Sequence, residues 1–423
     1  MKSAPRRWLI LALLMALCFI SHLNRLAMSV AGTERIIPQF NLTPEKMGWV
    51  YTSFLLCYTA GMIAGGWCID RWGPRKTLLA MGLGSASFGA LTGGLGFGLV
   101  GTASFLTGLL VVRGCMGLFT TPLHPACARA VSNWFPAKHV SGANGLVTFA
   151  AVLGMASTWP LFGALMDWLD WPGAFMVASG TLIAITLLWG IAGKDHLEQM
   201  PIREAGVPDS VQNLPAGRSP LLSRSLVLLT LSYSAVGYFQ YLFFYWSEYY
   251  FKDVMHLPTV QSRHNTMFLV LALGVGMPVG GWLADRTQRR YPGRMGWAMV
   301  PGIAMAMSAG FLFLGVAARE PFWIVTLFAL AMFALGASES SFWQAAVVLG
   351  GPRGGTTAAI MNTGGNGIGL LAPLLTPVIS AALGWQWGIC VGGIVGIIGA
   401  LCWWGIDPTG PVANGPRIEP SNP

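Results

Sequence analysis

The sequence predicts an all-α integral membrane protein with twelve transmembrane helices in two six-helix bundles. Three observations predict it. Of 423 residues, 54% are hydrophobic and only 10% are charged, whereas a soluble domain carries about a quarter charged residues. Apolar stretches of the roughly 20 residues needed to cross a bilayer core recur along the whole chain. The segment GGWCIDRWGPRK (65–76) returns as GGWLADRTQRR (280–290), so an even number of crossings is repeated with the same orientation. That is the parallel-repeat plan of a two-bundle carrier.

Taken in order, the spans are expected near 8–31, 47–67, 77–97, 102–126, 141–165, 173–193, 224–246, 265–284, 296–317, 321–346, 355–382 and 386–406. The first opens like a signal peptide, with the basic MKSAPRRW before the apolar LILALLMALC. Its length, the want of a small-x-small cleavage site and the spans that follow make it a crossing instead. Between the second and third spans, Gly73 and Pro74 supply a tight turn. Gly61 and Gly65, at GxxxG spacing, are helix-packing residues without chemistry. The fourth span carries Arg113 inside GLLVVRGCMGLF, and the sixth closes an N-terminal bundle of residues 1–193. Residues 194–222 are polar, Pro-bearing and without helical periodicity, which reads as a cytoplasmic linker. The C-terminal bundle then runs over 223–407. Its tenth span holds Glu339 in LGASESSFW. In its eleventh, Gly364, Gly365, Gly367 and Gly369 precede Pro373 and Pro377, a composition that bends helices. The tail 408–423 reads as disordered.

The net charge of +9 invites a nucleic-acid reading only until the 25 basic residues are located. Arg35, Lys46, Lys252, Arg263 and Arg319 fall on external segments, Arg25 and Arg113 within spans, and all the others on cytoplasmic ones. The positive-inside rule then puts both termini in the cytoplasm, in a plasma (bacterial inner) membrane, and excludes nucleic acid as a partner. The 7 cysteines show no metal spacing and no paired external pattern, so they read as small packing residues, and no metal or cofactor is expected.

Charged groups inside spans carry the functional reading. An arginine at a bilayer centre costs roughly 2.5–3.5 kcal/mol on insertion scales, so Arg25 and Arg113 need a purpose. A guanidinium in a poorly solvated cavity grips a carboxylate bidentately. Of the acidic residues only Glu339 is expected at depth, with Glu34 and Glu248 placed at external ends. Two buried positive charges against one negative leave room for an anionic substrate. Glu339 is the candidate proton carrier, and His124, which titrates near neutral pH in water, is a second coupling candidate. Trp343, four residues after Glu339, shares its helix face, as Asn362 does with Asn366. The loop pairs Asp70 and Arg71, and Asp285 and Arg286, sit at cytoplasmic helix ends and suit reversible ion pairs that gate a conformational change.

The doubled GG-W-x-x-D-R loop resembles the signature of the major facilitator superfamily over essentially residues 5–407. Within it, LNRLAMSVA, CYTAGMIAGGWCIDRWG, RGCMGLFTTPLHPACARAVSNWFP, FQYLFFYWSEYYF and IMNTGGNGIGLLAPLLTP resemble the anion:cation symporter family, carriers of sugar acids and aromatic acids. The resemblance implies a major facilitator fold and substrate-binding roles for Arg25, Arg113, Tyr58, Gln240, Tyr241 and Asn366. It also implies a gating role for the doubled loop. The chain departs from that family where members carry acids, with Asn24 before the first-span arginine and Thr120 seven residues after Arg113. Met62 stands where a glutamine is usual.

No Walker motif, zinc spacing or soluble domain supports an enzyme. The function expected is a monomeric secondary transporter of a small organic anion, with a proton as co-substrate and the lipid bilayer as its surroundings. The alternatives are a facilitated carrier or exchanger without proton coupling, and a nutrient sensor that binds without flux. An organophosphate exchanger is disfavoured, because it would place its second arginine in the seventh span.

Overall fold

The computed structural model describes residues 4–98, 102–193, 223–351 and 354–408. Every regular element among them is helical: α1 (Ala4–Ala31), α2 (Ile37–Gln39), α3 (Pro44–Gly98), α4 (Thr102–Thr120), α5 (Leu123–Trp134), α6 (Ala137–Ser157), α7 (Gly163–Ala192), α8 (Arg224–Tyr249), α9 (Thr259–Arg290), α10 (Arg294–Ala317), α11 (Pro321–Gly350), α12 (Gly354–Gly369), α13 (Leu371–Leu383) and α14 (Trp385–Trp403). Short π-helical segments, Gly32–Ile36, Thr158–Phe162 and Tyr250–Val254, extend α1, join α6 to α7 and extend α8. The expected linker 194–222, and all but the first residue of the expected tail, lie outside the described residues.

Among the described residues, ten continuous helical stretches are long and apolar enough to cross a membrane. Two are much longer than one crossing: Pro44–Gly98 with 55 residues and Gly142–Ala192 with 51. At 1.5 Å per residue the longer would reach about 80 Å, against a hydrocarbon core of about 30 Å. Each is broken inside. Gly73 takes φ 76° and ψ 164° ahead of Pro74, and Asp170 takes φ 54° and ψ 172° two residues before Pro172. The first of these breaks is the expected Gly-Pro turn, capped by Thr77, whose hydroxyl donates to the Gly73 carbonyl at 2.8 Å. The eleventh expected span is interrupted at Leu370: α12 stops at Gly369 and α13 starts at Leu371.

The chain divides into two compact units. One gathers the described residues of Met1–Met200, Gln240–Leu271 and Leu370–Ile389. Within it α3 packs on α4, α7 and α13, and α1 on α6 and α7. Gly117 lets the α4 backbone close onto α3, since a Cβ there would run into the Phe54 carbonyl. Gly61 and Gly65 serve the same contact, facing Leu118, Thr121 and Pro122. The other unit gathers the described residues of Pro201–Phe239, Ala272–Gly369 and Cys390–Pro423, in which α10 packs on α11 and α11 on α12.

Candidate functional site

In the first unit, α3 presents Tyr51, Phe54 and Tyr58 on one face, the i, i+3, i+7 spacing of a helix stripe. Both span arginines lie against that stripe. The Arg25 guanidinium sits 5.5 Å from the Phe54 ring centre and 4.8 Å from that of Tyr58. Arg113 sits over the other part of the same cage, 5.2 Å from Phe54. Tyr241 of α8 adds a third ring at 5.7 Å from Arg25 and accepts a hydrogen bond from its Nη2 at 3.1 Å. One turn on, Tyr245 stacks against Tyr51 with ring centres 4.7 Å apart. Ring faces are electron-rich and tolerate a guanidinium without neutralising it.

Neither arginine forms a salt bridge among the described residues. Arg113 is only 2% exposed, donates to the Arg25 carbonyl at 2.9 Å and to the Met116 sulfur at 3.0 Å, and leaves its Nε without an acceptor among the described residues. A thioether is a weak acceptor. The two arginines thus place two positive charges among neutral groups. Sequence reasoning named both arginines, Tyr58 and Tyr241, and the structure brings these four together. It missed Tyr51, Phe54 and Tyr245, although their spacing to Tyr58 and Tyr241 would have placed them on the same faces.

Gln240 precedes Tyr241 in the same unit and is half-buried. The expected amides Asn362 and Asn366, and Glu339, lie in the second unit. Asn366 donates to the Asn362 side chain at 3.1 Å and to its carbonyl at 2.8 Å, so the two amides act together. Glu339 accepts from the Tyr233 hydroxyl at 2.7 Å and from the Trp343 indole at 3.3 Å.

The two departures from family pattern are occupied structurally. Asn24 donates to the carbonyls of Ile20 and Ala178, at 3.0 and 3.2 Å, tying α1 to α7. Thr120 donates to the Met116 carbonyl at 2.7 Å and meets Ser85 at 3.0 Å. His124 does not stand alone: its Nε2 lies 3.1 Å from that of His22, whose Nδ1 is 2.9 Å from the Cys18 carbonyl. With His22 donating to that carbonyl, its Nε2 accepts and His124 donates, so the pair is satisfied as two neutral rings.

The placement of acids differs from expectation in one respect. Glu339 is half-buried, while Glu34 and Glu248, expected at external ends, are 9% and 2% exposed. Arg263, expected as an external charge, is 5% exposed and binds Glu34 through two contacts of 2.6 Å. Hydropathy reads a charge near a span end as solvated, and tertiary burial of that end leaves no local trace.

The loop pairs are exposed. Among the described residues Asp70 and Arg71 have no ion-pair partner, and neighbouring Arg75 anchors the loop instead, donating from Nε to the Gly190 carbonyl at 3.1 Å. Asp285 and Arg286 line an open surface cleft of about 610 Å³ with Trp282, Arg289 and Arg290. Among the described residues no group of three or more His, Cys, Asp or Glu side chains is placed to hold a metal.

A family model described as Major Facilitator Superfamily matches residues 13–373. The D-galactonate transporter of Escherichia coli is 28% identical over 95% of this chain and 96% of its own length. The probable sulfoacetate transporter of Cupriavidus necator is 27% identical over 87% of this chain and 86% of its own. Among solved structures, a bacterial homologue of the human lysosomal transporter Spinster superposes with a TM-score of 0.80, covering 95% of this chain and 97% of that one at 14% identity.

Proposed function

The chain belongs to the Major Facilitator Superfamily, and on that premise we propose that it is a secondary transporter of an organic anion bearing a carboxylate, driven by a proton. The observation that carries this reading is the pair Arg25 and Arg113, stacked on the one Phe54 ring with no carboxylate partner among the described residues. A substrate carboxylate supplies the missing charge, and the aromatic cage keeps water from competing for it. The relatives are named for a sugar acid and a sulfonated acid, both anions.

In this reading Tyr58, Gln240 and Tyr241 orient the carboxylate end, and Asn362 and Asn366 serve substrate hydroxyls. The topology has twelve crossings, because Pro44–Gly98 and Gly142–Ala192 each cross twice about their internal breaks. The two six-helix bundles, 1–193 and 223–407, alternate access as a monomer in the inner membrane, with both termini cytoplasmic. Asp70, Arg71, Asp285 and Arg286 are the gating groups of the cytoplasmic side. Glu339, with two donors on one oxygen, is the coupling carboxylate, and His124 assists only if its pairing with His22 opens.

A second reading, exchange without a proton, is favoured by the structural occupation of Asn24 and Thr120. Purified protein in proteoliposomes decides between them, using D-galactonate and sulfoacetate as probes. Counterflow of either probe is expected, with uptake raised by an imposed inward proton gradient. Binding without any counterflow would overturn transport in favour of a sensor. Counterflow that ignores the gradient would leave the exchanger.

A further inference from the structure

Glu248 is the most fully buried carboxyl group among the described residues, at 2% exposure, and nothing in the carboxylate-binding reading uses it. It belongs to the last turn of α8. Around it four elements of the first unit meet at the end that the positive-inside rule places outside. The π-helical segment Gly32–Ile36 brings Glu34, α9 brings Arg263, α7 brings Asp167, and α3 brings Tyr51. Lys252, on the extension of α8, is paired with Asp253 at 3.1 Å.

Arg263 is already saturated. Its Nε and Nη2 reach the two Glu34 oxygens at 2.6 Å each, and its Nη1 and Nη2 reach Asp167 at 2.6 and 2.9 Å. Gly163 makes this possible, since a Cβ there would occupy the guanidinium's place. Asp167 in turn takes a contact of 3.3 Å from Arg35. Glu248 is left out. Its carboxyl lies against that of Glu34, yet neither of its oxygens has a donor among the described residues. Two carboxylates facing each other without a shared proton repel, and a buried one without a donor forfeits its hydration. Arg263 and Lys252 are the cations whose charge acts on it, and each is already committed to other acids.

We propose that Glu248 and Glu34 share one proton, and that this proton is what allows the outer ends of α1, α7, α8 and α9 to close around Arg263. Without it the two buried acids of the cluster, Glu34 and Glu248, outnumber its one buried arginine, and the closed arrangement is repelled from within. Opening hydrates Glu248 and returns the proton to the outside, so the pair makes closure respond to external pH. The proton itself is independent of the transport reading, whereas its consequence for gating rests on it.

Glu248→Gln tests both, because glutamine keeps the shape of a protonated glutamate and cannot release the proton. Infrared spectra of the purified protein should show a protonated-carboxyl stretch that Glu248→Gln removes and Glu339→Gln does not. In proteoliposomes, D-galactonate exchange by the unaltered protein should slow as the outside is made alkaline, about tenfold per pH unit once the pair titrates. Exchange by Glu248→Gln should be flat over the same range. A carboxyl band unchanged by Glu248→Gln, or a pH profile that the substitution leaves as it was, overturns the proposal. If the unaltered protein exchanges neither D-galactonate nor sulfoacetate, the transport reading falls, and the infrared comparison alone still decides whether the proton is there.

Discussion

Arg113 is the side chain whose surroundings ask most for a ligand: buried to 2% exposure, bonded to one carbonyl and one thioether, with Nε unanswered. A bidentate carboxylate would add charge-assisted bonds of about 1.5–3 kcal/mol, which is roughly 10- to 150-fold in affinity. Arg25→Ala is therefore expected to abolish D-galactonate counterflow while the protein still inserts and folds, since Arg25 contributes one hydrogen bond to Tyr241 and ring contacts rather than a salt bridge. Near-normal uptake by Arg25→Ala would remove it from the site. Arg113→Ala should be as severe, whereas Arg113→Lys should keep part of the activity if the field of the charge matters more than the fork geometry. These two arginines were legible in the sequence because a charge inside an apolar run stands out from its neighbours. Arg263, Glu34 and Glu248 were not, because each sits near a span end where hydropathy expects charge, and only the packing of four elements buries them.

At the scale of elements, the contact of α3 with α4 sets the position of the Phe54 ring that both arginines share. Gly117 meets the Phe54 backbone directly, so Gly117→Ala must push the two helices apart. A loss of about 1–3 kcal/mol of stability is expected, as for overpacking in a core, with weaker D-galactonate binding at the displaced ring. Gly145→Ala, with open space around its Cβ position, is the control expected to change neither thermal unfolding nor affinity. Gly73 holds φ 76° and ψ 164°, a region essentially reserved for glycine. Gly73→Ala should cost about 1–3 kcal/mol and loosen the loop carrying Asp70 and Arg71. Asp70→Asn, by contrast, removes no ion pair among the described residues, so the proposed gating role predicts that affinity holds while exchange slows. Weakened binding with an unaltered exchange rate would contradict that assignment. The Gly73 break and the interruption at Leu370 were legible from glycine and proline placement. So was the break at Asp170, which falls in the expected gap between the spans 141–165 and 173–193. The break between α4 and α5 and the three π-helical segments were not, since a one-residue change in hydrogen-bond register leaves the apolar pattern intact.

For the whole molecule, the doubled loop and the bias of basic residues predict a two-bundle topology, but not the coupling, which is a balance of charges moved per cycle. D-galactonate is a monoanion at neutral pH and sulfoacetate a dianion. If one proton accompanies each substrate on Glu339, the galactonate step carries no net charge and the sulfoacetate step carries one negative charge inward. A pH difference of one unit is worth about 1.36 kcal/mol per proton, enough to sustain roughly tenfold accumulation of D-galactonate whatever the membrane potential. An inside-negative potential of about 100 mV opposes each inward negative charge by about 2.3 kcal/mol, so it should depress sulfoacetate accumulation about fiftyfold and leave galactonate alone. Glu339→Gln should lose accumulation of both probes against a gradient yet retain their counterflow, since exchange does not need the proton released. Proteoliposomes with pH difference and potential clamped independently measure each quantity. Galactonate accumulation that follows the potential but not the pH difference would mean that no proton travels with it. Glu339 would then be a structural acceptor for Tyr233 and Trp343, and the carrier would be an exchanger driven by its substrate gradient and by the potential.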